Sequence, residues 1–202
     1  MTARETPRET MFSSIRQALG RSAAAPAPDP PAARLINTSS GDPVTKFSEA
    51  FTALNGKLVL AADPVQARSK LETMLAGKRV VASRAPILGG VGEEYSREAC
   101  AAADIGLTSA DFALADTGTL VFLSESHESR LISLLPPCHI AVIERQKILT
   151  GLDELLSRVP NPSVQSSAMV LVTGPSRTAD IEMRLVRGVH GPGEIIVMIV
   201  GM

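Results

Sequence analysis

One segment limits the fold more than any other. Glu194–Val200 reads EIIVMIV, six apolar residues in succession behind a single glutamate. A strand with one wet face alternates polar and apolar residues. A strand that is apolar throughout has both faces covered, the usual condition of a parallel sheet flanked by helices. Ala168–Val172 (AMVLV) reads as a second strand of that kind. Neither run approaches the ~20 residues that a membrane-crossing helix needs.

Helix and strand patterns alternate upstream. Phe47, Phe51 and Leu54 mark one face of a helix that Gly56 ends. Lys57–Ala61 (KLVLA) reads as a strand. Asp63-Pro64-x-Gln66 then opens a helix, with Asp63 as cap, Pro64 at the first helical position and Gln66 where a capping box needs it. Val65, Leu71, Met74 and Leu75 form its apolar side up to Gly77, and Lys78–Ser83 returns as a strand. Further strands are expected at Thr119–Leu123 and His139–Ile143. Helices are expected after Tyr95, over 127–135 before Pro136-Pro137, and from Thr150-x-x-Asp153 to Val159. Ile181–Leu185 fits a period of two as well as a helix. The Asp180–Arg184 pair at i,i+4 and the need for a crossover between parallel strands favour a short helix. This rhythm places the chain in the α/β class, with a mostly parallel central sheet flanked by helices.

The first 34 residues stand apart. Met11, Phe12, Ile15, Ala18 and Leu19 recur at helical spacing before Gly20, and 21–34 (RSAAAPAPDPPAAR) is an Ala/Pro-rich linker. The organisation expected is a tethered N-terminal helix with its linker over 1–34 and an α/β domain over 45–202. The helix reads either as a frayed tail or as a docking helix for a partner.

Composition removes several function classes. Lys and Arg (20) nearly cancel Asp and Glu (21), for a formal net charge of -1, so the basic excess of a nucleic-acid binder is missing. Aromatic residues are 3%, with no Trp and only Tyr95 as tyrosine, too few for a base-stacking platform. Arg4, Glu5, Arg8 and Glu9 are followed by no apolar signal-peptide core, which points to a cytoplasmic protein. Cys100 and Cys138 are the only cysteines, whereas an iron–sulfur cluster normally takes four thiolates. His127, His139 and His190 do not have metal-ligand spacing, so neither a metal site nor a cofactor is expected on this chain. No phosphate-binding P-loop and no G-x-S-x-G nucleophile elbow occurs.

Three constellations carry candidate chemistry. In Asp116-Thr117-Gly118-Thr119, a glycine between threonines at the mouth of a strand allows close backbone approach to a ligand or an anion-binding nest. Alone, it also reads as a plain glycine turn. Gly174-Pro175-Ser176-Arg177-Thr178 follows a buried strand, the position where α/β sheets bind ligands. Ser176 and Thr178 bring hydroxyls, Arg177 a fork for carboxylate or phosphate, and Asp180 and Glu182 carboxylates. A capped helix with a surface ion pair is the plainer alternative. His190, within Gly188-Val189-His190-Gly191-Pro192-Gly193, sits on a pliable loop as an acid–base candidate. His139 reads as a half-buried, hydrogen-bonded structural histidine, and His127 as a solvated helix-start residue.

The segments ADFALADTGTLVFL (110–123), RLISLLPPCHIAVI (130–143) and GPSRTADIEMRLVRGVHGP (174–192) resemble LUD-domain proteins, in particular the lactate-utilisation protein C family. The resemblance extends over roughly 45–202, and IRQALGR (15–21) is similar to that family's opening helix. Asp116 stands where the family more usually has Glu. The resemblance implies a fold akin to the sugar-phosphate isomerase and CoA-transferase group. It also implies work beside iron–sulfur partner proteins that oxidise L-lactate to pyruvate, with this chain as an accessory or regulatory subunit. Such a subunit would bind a small anion through Asp116, Thr117, Gly118 and Thr119 on one side and Ser176, Arg177, Thr178 and His190 on the other. The alternative is a stand-alone acyl- or CoA-transferase-like or cyclo-ligase-like enzyme, with Asp180 or Glu182 as base or nucleophile.

Overall fold

The computed structural model describes residues 6–20, 41–91, 96–124, 130–178 and 186–201. In chain order the elements are α1 (Pro7–Ala18), α2 (Pro43–Ala53), β1 (Lys57–Ala61), α3 (Pro64–Leu75), β2 (Val80–Ala82), α4 (Arg97–Ala102) and β3 (Ile105–Ser109). There follow β4 (Phe112–Leu114), β5 (Thr119–Leu123), α5 (Arg130–Leu134), β6 (Cys138–Glu144), β7 (Ile148–Leu149), α6 (Leu152–Arg158) and α7 (Pro162–Gln165). The chain ends with β8 (Met169–Val172), β9 (Arg177–Thr178), β10 (Val186–Arg187) and β11 (Glu194–Val200).

Five strands form an all-parallel sheet in the order β1-β11-β6-β3-β2. The apolar β11 lies inside it between β1 and β6, as its continuous hydrophobicity requires. The β1–α3–β2 unit does not join neighbours: its strands occupy opposite edges. One face of the sheet packs Leu107, Ile140, Val142 and Met198 against Ala67, Leu71 and Leu75 of α3. The other packs Ala141, Ile143, Ile195, Val197 and Ile199 against α2, through Val44, Phe47 and Phe51, and against a second sheet. Phe47 and Phe51 are fully buried and stacked, with ring centroids 5.5 Å apart. Each removes a large apolar side chain from water, worth roughly 1.5–3 kcal/mol.

The second sheet was not foreseen from sequence. It runs β7-β4-β5-β8, with β5 antiparallel to both β4 and β8. The reading of Ala168–Val172 as a strand buried on both faces is corrected here. β8 is an edge strand of this sheet, Leu171 is 43% exposed, and antiparallel sheets tolerate such a face. β3 and β4 also went unread. β3 carries Gly106, where a Cβ would lie 1.8 Å from the Ile132 carbonyl oxygen, so α5 can seat on β3 only because no side chain stands there. β4 has three residues, too few for a periodicity.

Local predictions hold at the start of α3 and need two adjustments. Asp63 caps α3 by accepting from the Gln66 amide at 2.8 Å, and the Gln66 side chain accepts from Ala62 N–H at 2.9 Å. Val65, expected on the buried side, is 80% exposed, and Ala67 takes that role. At α6 the capping box expected from Thr150 and Asp153 does not form: the N-cap is Gly151, with no side-chain cap bond, and the Thr150 amide and hydroxyl both donate to the Glu154 carboxylate at 2.8 and 2.9 Å.

The chain divides into two units, Met1–Ala32 and Ala33–Met202. In the first, α1 has a full capping box between Thr6 and Glu9, with Pro7 at its first position. It buries none of its residues, and Met11, Phe12, Ile15 and Leu19 remain exposed. No helix among the described residues is long and apolar enough to cross a membrane.

Candidate functional site

The Asp116–Thr119 turn links β4 to β5. Gly118 has φ +64°, and a Cβ there would lie 2.6 Å from the Phe51 amide nitrogen. The glycine therefore serves both a left-handed turn and a close approach to the C-terminal turn of α2. The Thr117 hydroxyl donates to Asp116 Oδ1 at 3.2 Å and meets Thr119 Oγ1 at 2.8 Å. Thr119 Oγ1 in turn meets Thr173 Oγ1 at 2.8 Å. Each hydroxyl has one proton, so the first bond orients the rest. Thr173 donates to Thr119, Thr119 to Thr117, and Thr117 to the carboxylate.

The neighbouring elements hold this row from below. Asp116 N–H donates to the Thr150 carbonyl at 3.2 Å. A Cβ on Gly151 would lie 2.7 Å from Asp116 Oδ2, so Gly151 makes room for the carboxylate. Burial pushes the Glu154 carboxyl up, but bonds from Thr150 and Arg158 outweigh it and hold the group below its usual value. Glu154 thus stays charged and keeps the α6 end of the site fixed.

The second constellation meets the first at Thr173-Gly174. A Cβ on Gly174 would lie 3.0 Å from Leu54 Cβ, and the glycine has φ +81°. The Arg177 guanidinium donates to the carbonyl of Leu54, the C-cap residue of α2. A cation there also suits the negative end of the helix. Ser176 is wrapped by the glycine loop. Its amide donates to the Pro192 carbonyl at 2.9 Å, its carbonyl accepts from Gly188 N–H at 3.1 Å, and its hydroxyl accepts from His190 N–H at 3.4 Å.

The structure therefore groups most of the sequence candidates. The Asp116–Thr119 turn reaches Thr173 through the Thr119 hydroxyl, the Arg177 guanidinium lies beside Gly174, and the backbone of His190 bonds Ser176. Thr178 lies in a two-residue ribbon, β9 paired antiparallel with β10 as Thr178↔Val186 and Arg177↔Arg187. Asp180 and Glu182, the helix expected around them, and His127 lie outside the described residues. Thr173, Gly151 and Leu54 were missed. Thr173 belongs to the site only through the β5–β8 pairing, in which Leu120 faces Val172 and the next pair outward is Thr119 and Thr173.

His139 is fully buried rather than half-buried. Its Nε2 lies 2.7 Å from Thr108 Oγ1, its Nδ1 has no partner among the described residues, and burial lowers its pKa to about 4. No group of three or more His, Cys, Asp or Glu among the described residues is placed to hold a metal ion.

Comparison with known proteins agrees with the architecture. The LUD domain family model matches residues 90–200. Lactate utilization protein C of Halalkalibacterium halodurans is 43% identical over 94 residues, covering 45% of this chain and 41% of that protein. The protein of that name from Exiguobacterium sp. is 40% identical over 111 residues, covering 53% and 48%. The one from Bacillus subtilis is 38% identical over 105 residues, covering 50% and 43%. The chain thus spans less than half the length of these curated relatives. The crystal structure of a DUF162 family protein from Deinococcus radiodurans matches with a TM-score of 0.64 over 82% of this chain and all of that one; at 22% identity it speaks to the fold. The family match covers more than half of the chain and includes the Asp116–Thr119 turn, Ser176, Arg177 and β11: the protein belongs to the LUD domain family.

Proposed function

We propose that the chain works in lactate utilisation, as an accessory or regulatory component that binds a small hydroxylated or otherwise hydrogen-bonding anion beside α2. The observation that carries this reading is the pair Thr173-Gly174: the row of hydroxyls that starts at the Asp116 carboxylate ends on Thr173, and the Arg177 guanidinium lies beside Gly174. Arg177 uses one donor on Leu54 and retains others for an anionic oxygen. Asp116 and Thr117 are exposed and suit the donor end of the same ligand. The names of the relatives support lactate utilisation as the setting. The two cysteines, buried and half-buried, support the assignment of iron–sulfur chemistry to partner proteins.

Deletion and complementation in the host test this reading. Loss of the gene is expected to abolish growth on L-lactate while leaving growth on pyruvate intact. Wild-type protein should restore it, and the Asp116→Asn, Arg177→Gln double variant should restore it poorly at equal protein levels. Normal growth of the deletion strain on L-lactate overturns the setting. Full rescue by the double variant overturns the site.

A further inference from the structure

The C-terminal turn of α2 holds a reactive dipeptide. Asn55 is the only non-glycine residue with a positive φ among the described residues, at +65°. It sits at the left-handed position that ends a helix, where Gly is usual and Asn the next choice. Its amide donates to the Thr52 carbonyl at 2.8 Å, and the Gly56 amide donates back to the Phe51 carbonyl at 3.0 Å. Gly56 is fixed by packing: a Cβ there would lie 2.1 Å from the Phe51 ring, which is fully buried and stacked on Phe47. The fold thus places Asn before Gly. In that order the side-chain amide is most open to attack by the next backbone nitrogen, because glycine puts no side chain in the way.

The attack runs as follows. Hydroxide removes the Gly56 amide proton, and the nitrogen adds to Asn55 Cγ. The N–Cγ bond forms, the Cγ–Nδ2 bond breaks, and ammonia leaves a five-membered succinimide. Water opens that ring at either carbonyl and leaves aspartate or isoaspartate. In the folded chain Gly56 is buried and its N–H is committed to Phe51. The turn must open before the nitrogen can react. The Arg177 guanidinium opposes that opening, because it holds the carbonyl of Leu54, the residue just before Asn55.

We infer that Asn55-Gly56 is a deamidation site gated by Arg177, its rate set by local opening of the α2 C-terminus. Either product places a carboxylate at the negative end of α2, one residue from the carbonyl that Arg177 holds. Isoaspartate also adds a backbone carbon between Leu54 and Gly56, which breaks the register of both turn bonds. The modification therefore acts on the helix beside the candidate site. The inference rests on the Arg177–Leu54 bond and not on a ligand at Arg177.

Trypsin releases Asn55 within residues 47–57 (FSEAFTALNGK), which contain no other amide side chain. The full chain and the synthetic peptide of that sequence are incubated side by side at pH 8, and deamidation is followed by mass spectrometry. The rate in the folded chain is the peptide's rate multiplied by the open fraction, so the full chain should react at least about tenfold more slowly. Arg177→Gln should speed the full chain about fivefold. Gly77→Ala destabilises the end of α3, on the other face of the parallel sheet, and should leave the rate unchanged. Asn55→Gly keeps the left-handed turn and should abolish the mass gain in this peptide. Equal rates in peptide and full chain overturn the inference. So does an unaltered rate in Arg177→Gln, and so does equal acceleration by Gly77→Ala, which would make the opening global.

Discussion

The guanidinium of Arg177 donates to the backbone carbonyl of Leu54, 123 residues earlier in the chain, and so closes the C-terminal end of α2. A residue read from sequence as a ligand clamp is therefore also a helix cap. The two roles are separable because guanidinium has five donors and the cap uses one.

Arg177→Ala should accordingly cost stability with no ligand present. A hydrogen bond from a charged group contributes about 1.5–3 kcal/mol, and the exposure of Arg177 reduces that to about 1 kcal/mol. For a chain of this size the melting temperature should fall by about 2–4 °C. Arg177→Lys should recover part of it. Calorimetry of the ligand-free protein checks this, and an unchanged melting temperature would remove the capping role.

Gly118 and Gly77 separate conformational strain from close approach. Both have positive φ, +64° and +70°, but a Cβ on Gly77 meets nothing within 4 Å, whereas one on Gly118 meets α2 backbone at 2.6 Å. Gly77→Ala should cost about 1–2 kcal/mol, the left-handed penalty alone. Gly118→Ala should cost at least about 1–3 kcal/mol more, because backbone must shift. Urea unfolding of both variants measures the difference; equal losses would mean that α2 yields freely.

His139 should make the fold acid-sensitive in a defined window. Its folded pKa is about 4 against an ordinary 6.5, with burial as the cause. Below pH 6.5 the unfolded chain binds a proton that the folded chain refuses, so stability falls as pH drops from about 6.5 toward 4 and levels off below. The loss over that window is on the order of 3 kcal/mol. Replacing the imidazole by a similar apolar ring, in His139→Phe, should flatten this part of the pH profile relative to wild type. A parallel profile would show that the imidazole is not the group responsible.

The cysteines should be poor nucleophiles. Burial pushes the Cys138 thiol up to about 11 and raises Cys100 as well. Since the thiolate is the reactive form, neither should be alkylated quickly by iodoacetamide at pH 8 in the folded protein. Both should react once the protein is unfolded. Mass spectrometry of the native sample decides it, and rapid labelling of Cys138 would contradict its burial.

Much of the architecture follows from local pattern. The apolar run of β11 required burial on both faces. Asp63, Pro64 and Gln66 marked the start of α3, and the spacing of Phe47 and Phe51 gave the buried side of α2. Such features are decided within a few residues, by pleat, helical period and capping hydrogen bonds, so they can be read without the rest of the chain. The second sheet could not. Its strands are short, its pairings join residues up to 54 positions apart, as at Thr119 and Thr173, and its β8 is an edge strand whose exposure depends on its neighbours. Gly106 gave no strand signal because its value lies in what it leaves out, the side chain that would strike the Ile132 carbonyl. The candidate site divides the same way. Its residue types, Asp116, Thr117, Gly118, Thr119, Ser176 and Arg177, were legible as chemistry. The bond from Thr119 to Thr173, the helix-capping use of Arg177 and the burial of His139 were settled only when strands and α2 packed, because long-range hydrogen bonds and close contacts exist in the folded chain alone.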